Sequence, residues 1–159
     1  MLLTLPAIRV QYSPKLSFVR FQWNPGHADL EGLREGLTAV VQLIEYGTVA
    51  SVLLDMNELP SLGLEDQFWL ATHWIPRVSV PTLERAALVL PISNVYNQMA
   101  AESLLRVGRP FIHYDVQFFT DASSALGWLL SPEPIALAAL EAEWESTTAL
   151  RKRQQVSQA

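Results

Sequence analysis

His113 and Asp115 stand two residues apart in the stretch 111–119, and of all the side chains their types and spacing come nearest to chemistry. On a strand, residues i and i+2 share a face, so an imidazole and a carboxylate there can form an acid–base pair or supply two metal ligands. No third ligand is apparent nearby. His27 precedes the first helical stretch and His73 lies in the middle of the second. The simpler account is the solvated face of an edge strand. Cysteine is absent, which removes disulfides, thiolate nucleophiles and Cys-ligated zinc. A Gly-rich phosphate loop, a Gly-x-Ser-x-Gly elbow and a His-Glu-x-x-His pair are missing too. The sequence therefore assigns no catalytic, cofactor-binding or metal-binding residue, and the expectation is a protein that is not an enzyme.

Composition narrows the class further. A chain of 159 residues is the usual size for one core. Half of it is hydrophobic and 17% is charged, far too apolar for a disordered chain. Charge or Pro interrupts every apolar run well short of the ~18 residues that a membrane span needs, so no transmembrane segment is expected. Met1-Leu-Leu-Thr-Leu5 is apolar but has no Lys or Arg before it, a poor signal peptide, which leaves a cytoplasmic expectation. A net charge of −5 argues against a nucleic-acid partner. The basic run Arg151-Lys152-Arg153 follows Glu141, Glu143 and Glu145, an order that suits a helix dipole and reads as solvated helix charge.

The elements that must position these residues follow from periodicity. Ile8, Val10 and Tyr12 alternate with Arg9 and Gln11, Ser13-Pro14-Lys15 turns the chain, and 16–23 returns. That return strand carries Phe18, Arg20 and Gln22 on one face and Val19, Phe21 and Trp23 on the other, so one side of the hairpin is apolar. Leu30, Leu33, Leu37, Val40, Val41 and Ile44 repeat at helical spacing, with Gly47 where a left-handed cap is expected. The runs 49–55 and 85–91 are short, apolar and bounded by turn residues, as strands buried on both faces are. A second helix starts near Glu65 and Asp66 and runs to about Pro76, and a third spans about 94–107, closed by Gly108 and Pro110. The half-polar strand 111–119 suits a sheet edge, a fourth helix covers 121–130, and Ser131-Pro132 opens a fifth. The order predicts an α/β fold: a mostly parallel mixed sheet with an N-terminal antiparallel hairpin, helices packed on it, and a C-terminal helix. The expected division is a domain over 1–131 and a helical extension with a frayed polar tail over 132–159.

In such a sheet, ligands enter at the carboxyl ends of the strands. There Asp55, Asn57 and Ser61 meet the turn that holds Ser93 and Asn94, at the starts of two helices. Trp69 falls opposite the second helix's expected apolar stripe of Leu64, Phe68, Ala71 and Ile75, widened by Leu70 and Trp74, and His73 lies one turn beyond it. An exposed Trp needs no explanation by itself, yet Trp is enriched at interfaces. The expected cover for Trp69 is the side of the fifth helix bearing Ile135, Ala138 and Ala142, with a homodimer as the alternative.

Three stretches carry a family likeness: 53–70, with Asp55, Ser61 and Trp69; Arg85-Ala-Ala-Leu-Val-Leu-Pro91; and Gln117-Phe-Phe-Thr-Asp-Ala-Ser-Ser-Ala-Leu-Gly-Trp-Leu129. Together they resemble the SpoIIAA-like branch of the STAS-domain superfamily over about residues 7–130. The resemblance implies a STAS-like fold and a non-catalytic, regulatory module that works through an unidentified protein partner. It also suggests the phospho-switch of the family's anti-sigma-factor antagonists, with Ser61-Leu62-Gly63 as a faint echo of their motif. Ser61 lacks that motif's preceding Asp and second Ser, and an ordinary turn Ser explains it more simply. The branch's likeness to lipid carriers supplies the second expectation, a carrier or sensor of a small apolar ligand held between sheet and helices.

Overall fold

The computed structural model describes the backbone of residues 1–27, 29–130 and 134–157, with side chains up to residue 146. Six strands form one sheet in chain order: β1 (Leu2–Thr4), β2 (Ile8–Ser13), β3 (Phe18–Trp23), β4 (Ser51–Asp55), β5 (Arg85–Val89) and β6 (Asp115–Phe119). β1, β2 and β3 pair antiparallel, and β3 through β6 pair parallel. The α/β class, the hairpin and the parallel segments are thus as the periodicity predicted. Three strands start later than expected: β3 at Phe18, β4 at Ser51 and β6 at Asp115. Chain 108–112 turns first, through Phe111 N–H to Gly108 O (2.9 Å) and Ile112 N–H to Arg109 O (3.3 Å), so His113 lies outside β6.

Register divides the side chains between two faces. The row Val10, Phe21, Leu54, Leu88, Phe118 looks one way, and the next row, Gln11, Arg20, Leu53, Ala87, Gln117, looks the other. On the first face lie α1 (Leu33–Tyr46), the helical stretch between β4 and β5, and α4 (Val95–Val107). Leu33, Leu37, Val40, Val41 and Ile44 of α1 bury against Ile8, Val10, Val19, Phe21 and Trp23. Each such side chain contributes about 1.5–3 kcal/mol of burial. Gly36 weakens the middle of α1 as a helix former, but a Cβ there would meet Ile8 Cδ1 at 2.6 Å. The glycine lets α1 sit close on β2.

On the second face, α5 (Ala122–Leu130) buries Ala125, Leu126 and Leu129 against Phe18, Leu53, Ala87 and Val89. Asp121 caps α5, accepting from Ser124 N–H at 2.8 Å and Ser124 Oγ–H at 2.9 Å, and these bonds hold its carboxyl below the usual range. α6 (Pro134–Ser157) covers the hairpin end of the same face, with Leu140 and Trp144 buried. Ser131 and Pro132, expected to start this helix, lie outside the described residues.

Four expectations need correction. The left-handed residue after α1 is Thr48 (φ 49°), whereas Gly47 has φ −88°. Glycine is needed at 47 because a Cβ would stand 2.8 Å from the Tyr12 hydroxyl. The second helix is not one α-helix: α2 (Leu64–Trp69) passes into a π-helical turn over Leu70–Trp74 and then α3 (Ile75–Val78). That wide turn stacks Trp69 and Leu70 over Trp74 and Ile75 at i, i+5 spacing, rotating the buried face. Leu64 and Phe68 consequently point outward at 79% and 68% exposure, and Trp69 turns partly inward. The same turn places Pro76 at the start of α3, where a missing N–H is tolerated, so the helix continues to Val78. Finally, α6 lies across the sheet from Trp69 and does not cover it. Ile135, Ala138 and Ala142 of α6 are exposed, and the hairpin's polar face, not Trp69, receives the helix.

Candidate functional site

Between the sheet and the helices of the first face lies a cavity of about 140 Å³. Its walls are almost wholly hydrocarbon: Phe21, Trp23, Leu54, Leu70, Trp74 and Leu104 stand for a lining drawn from β2–β6, α1, the π-turn, α3 and α4. Asp55 and Met56 close it at the carboxyl ends of the strands, Leu83 and Tyr114 at the other. Among the described residues no Lys, Arg or His lines it. The indole N–H groups are already used, Trp74 Nε1 donating to Leu37 O at 2.9 Å and Trp23 Nε1 to His27 O at 2.8 Å. Among the described residues Tyr114 is the one lining hydroxyl. Ser79 Oγ donates to Ile75 O at 2.8 Å and lies 3.0 Å from the Tyr114 hydroxyl, whose oxygen keeps at least one lone pair free whichever hydroxyl donates. Burial raises the Tyr114 hydroxyl above its ordinary pKa, and the bond with Ser79 opposes part of that shift.

Of the edge residues singled out from the sequence, Asp55 alone borders the cavity, and its register beside Gln22 and Val89 turns its side chain toward the second face. Its carboxylate accepts from Asn57 N–H (2.9 Å) and Asn57 Nδ2–H (2.7 Å), tying the turn after β4. Asn94 caps α4 by accepting from Asn97 N–H at 3.0 Å. Ser61 and Ser93 are exposed. The residue that organises this edge went unnoticed in the sequence: Asn97, fully buried, accepts from Leu62 N–H at 3.0 Å and donates to Leu59 O and Pro60 O at 3.2 and 3.1 Å. It pins the loop on both sides of Ser61. An Asn at the start of a helix gives no sequence cue for such a clamp.

Trp69 and His73 do come together, in an open groove of about 520 Å³ shared with Arg34, Leu64, Glu65 and Phe68. Arg34 lies over the Trp69 ring at 5.7 Å and pairs with Asp66 at 3.2 Å. His73 is exposed and its Nδ1 lies 2.7 Å from Thr72 Oγ. His113 packs edge-on against Tyr114, with ring centres 5.4 Å apart. Among the described residues no three His, Asp or Glu side chains gather as a metal site.

The second face holds the other concentration of polar groups. Arg9, Gln11 and Arg20 are 5%, 0% and 4% exposed beneath α6. Arg9 Nη1 donates to Trp144 O at 3.3 Å, Gln11 Nε2 to Leu140 O at 2.9 Å and Glu143 Oε1 at 3.0 Å, and Arg20 Nη1 to Glu141 at 2.9 Å. Both guanidiniums lie against the Trp144 ring, 3.5 and 4.2 Å from its centre. Burial lowers the Arg20 pKa, opposed by Glu141 and, more weakly, by Asp55.

Comparison of the chain with protein-family models, with curated proteins and with solved structures yields no match. Among the described residues no helix is long and apolar enough to cross a membrane.

Proposed function

We propose that this chain is a non-catalytic binding module that takes up a small, uncharged apolar ligand between its sheet and its helices. The cavity of about 140 Å³ carries the reading. A dry apolar cavity of roughly 150 Å³ is known to hold benzene, so the volume suits one ring or a short chain. The polar inventory sets the charge. Among the described residues the lining holds no cation, so a carboxylate ligand would be desolvated without a partner. Tyr114 offers an acceptor, so one hydroxyl on the ligand is accommodated. The π-turn forms part of the wall, and such turns are common at functional sites.

Trp23 and Trp74 report occupancy directly. Titration with 1-octanol is expected to shift their fluorescence and raise the melting temperature, with octanoate far weaker. Ala101→Leu, which fills the cavity, is expected to abolish the response while the protein stays folded. Equal binding of octanoate, or no response to either probe, refutes the reading.

A second reading, the STAS-like interaction module switched at Ser61, draws support from the surface beside that serine. Leu64 and Phe68 of α2 and Ile92, Val95 and Met99 at α4 are exposed on helices joined by Gln67 Nε2–H to Tyr96 Oη at 3.2 Å. A phosphate on Ser61 would place charge beside this apolar surface. Intact mass before and after phosphatase treatment of protein from its native cells tests it; a chain with no phosphatase-sensitive increment removes the switch.

A further inference from the structure

α6 meets the sheet in an unusual way. A helix that only shields a sheet presents an apolar stripe to apolar strands, as α5 does with Ala125, Leu126 and Leu129. The strands beneath α6 instead offer Arg9 and Gln11 from β2 and Arg20 from β3, all buried. The helix answers with Leu140, Glu141, Glu143 and Trp144, and with the carbonyls of residues 140 and 144. Charge, ring faces and hydrogen-bond polarity are matched, in the manner of a helix recognised in a groove. The match is incomplete. Gln11 Oε1 and Arg20 Nε are buried and have no hydrogen-bond partner among the described residues.

We propose that the face formed by Arg9, Gln11 and Arg20 is a recognition surface for an acidic, Trp-bearing amphipathic helix, that α6 fills it within the chain, and that a partner helix of the same chemistry competes with α6 for it. Charge complementarity selects this occupant: two guanidiniums and a glutamine amide require carboxylates and carbonyls, and the Trp144 ring shows that both guanidiniums accept an aromatic face. The unsatisfied Gln11 and Arg20 atoms make the internal helix replaceable, because a partner that bonds them gains over α6. The surface is on the opposite side of the sheet from the cavity, so the inference stands apart from the ligand reading.

A labelled peptide with the sequence of residues 134–157 serves as the probe, titrated into the full chain and into full chain carrying Trp144→Ala. The internal helix reduces the competent fraction in the unaltered chain, so Trp144→Ala is expected to bind the peptide about tenfold tighter or more. Glu141→Gln, a gentler change at a half-exposed carboxylate, is expected to move the affinity the same way by a smaller factor, and serves if Trp144→Ala fails to fold. Adding Arg20→Gln to either variant is expected to remove binding, and a peptide with its Trp and its three glutamates replaced by Ala is expected to bind none of them. Equal affinity for the unaltered chain and both variants overturns the proposal, as does binding that survives Arg20→Gln. Displacement of the peptide by millimolar inorganic phosphate would assign the arginines to a phosphate group. Uptake only in a dimer that exchanges α6, seen by light scattering, would assign the face to a second copy; either result also overturns it.

Discussion

The two faces of one sheet are buried by opposite means. On the first, Val10, Val19, Phe21 and Trp23 meet the aliphatic residues of α1, and the polar groups near the cavity are bonded elsewhere. On the second, the same two strands present Arg9, Gln11 and Arg20, and α6 satisfies them with carboxylates, carbonyls and an indole. Burial of hydrocarbon is non-directional, so the first face tolerates a cavity without losing its fold. Buried guanidiniums require particular partners at particular distances, so the second face selects one helix. The difference separates the two tasks we propose for the molecule: an adaptable apolar interior for a ligand, and a directional surface for a helix.

The sharpest way to break this contrast is truncation on the first face. Phe21→Ala removes a fully buried ring that meets Trp74 edge-on with centres 6.1 Å apart, and is expected to destabilise by about 3–5 kcal/mol in chemical denaturation. An effect under about 1 kcal/mol would mean that the hydrocarbon on this side is not what holds it. Asn97→Ala comes next, at about 2–3 kcal/mol, because the loop groups it satisfies are left unpaired. Hydrogen exchange should locate the loosening at residues 59–62 rather than in α6.

The second face should respond by partner rather than by volume. Glu141→Gln leaves the Arg20 guanidinium with a weaker partner and is expected to lower stability by about 1 kcal/mol, reduced by the carboxylate's exposure. Arg20→Met keeps much of the volume and the contact with Trp144, and is expected to change stability by less than about 1 kcal/mol in either direction. Because Met retains the bulk, a large loss would show that the guanidinium's bond to Glu141, and not packing, holds this face.

The smallest effects, and the most diagnostic, concern pH. The hydrogen bond from Gln11 is the largest influence on Glu143 and holds its carboxyl below the ordinary 4.5. Its contribution is therefore complete above 4.5 and is lost as pH falls through the lower folded value. Tyr114 is raised above 10.0 by burial, so its contribution is complete below 10.0 and is lost as pH rises through the higher folded value. Acid should loosen α6 first and alkali the cavity side. Glu143→Gln is expected to flatten only the acid limb of stability against pH, and Tyr114→Phe only the alkaline limb.

Much of the architecture was legible because it rests on local signals. The runs at 49–55 and 85–91 read as buried strands and are β4 and β5 apart from trimmed ends. Asn94 and Gly108 bracket α4 as caps do. The phase of the helix over 64–78 was not legible, since one π-turn changes which residues share a face and leaves no mark in composition. The sites divide in the same way. Asp55 and Asn57 were placed correctly at the end of a strand, whereas the cavity exists only where five strands, three helices and a π-turn converge.

The sequence by itself determined the class of fold, because alternation, apolar runs and caps act over a few residues and dictate local backbone geometry. It also determined that one face of the hairpin is apolar. Only the tertiary structure decided the fate of the other face. Arg9, Gln11 and Arg20 have the pattern of a solvated surface, and their burial depends on Trp144, which is 135 positions from Arg9 in the chain. Periodicity fixes which side chains share a face; what covers that face is set by contacts between distant residues, whose free energy no local pattern encodes.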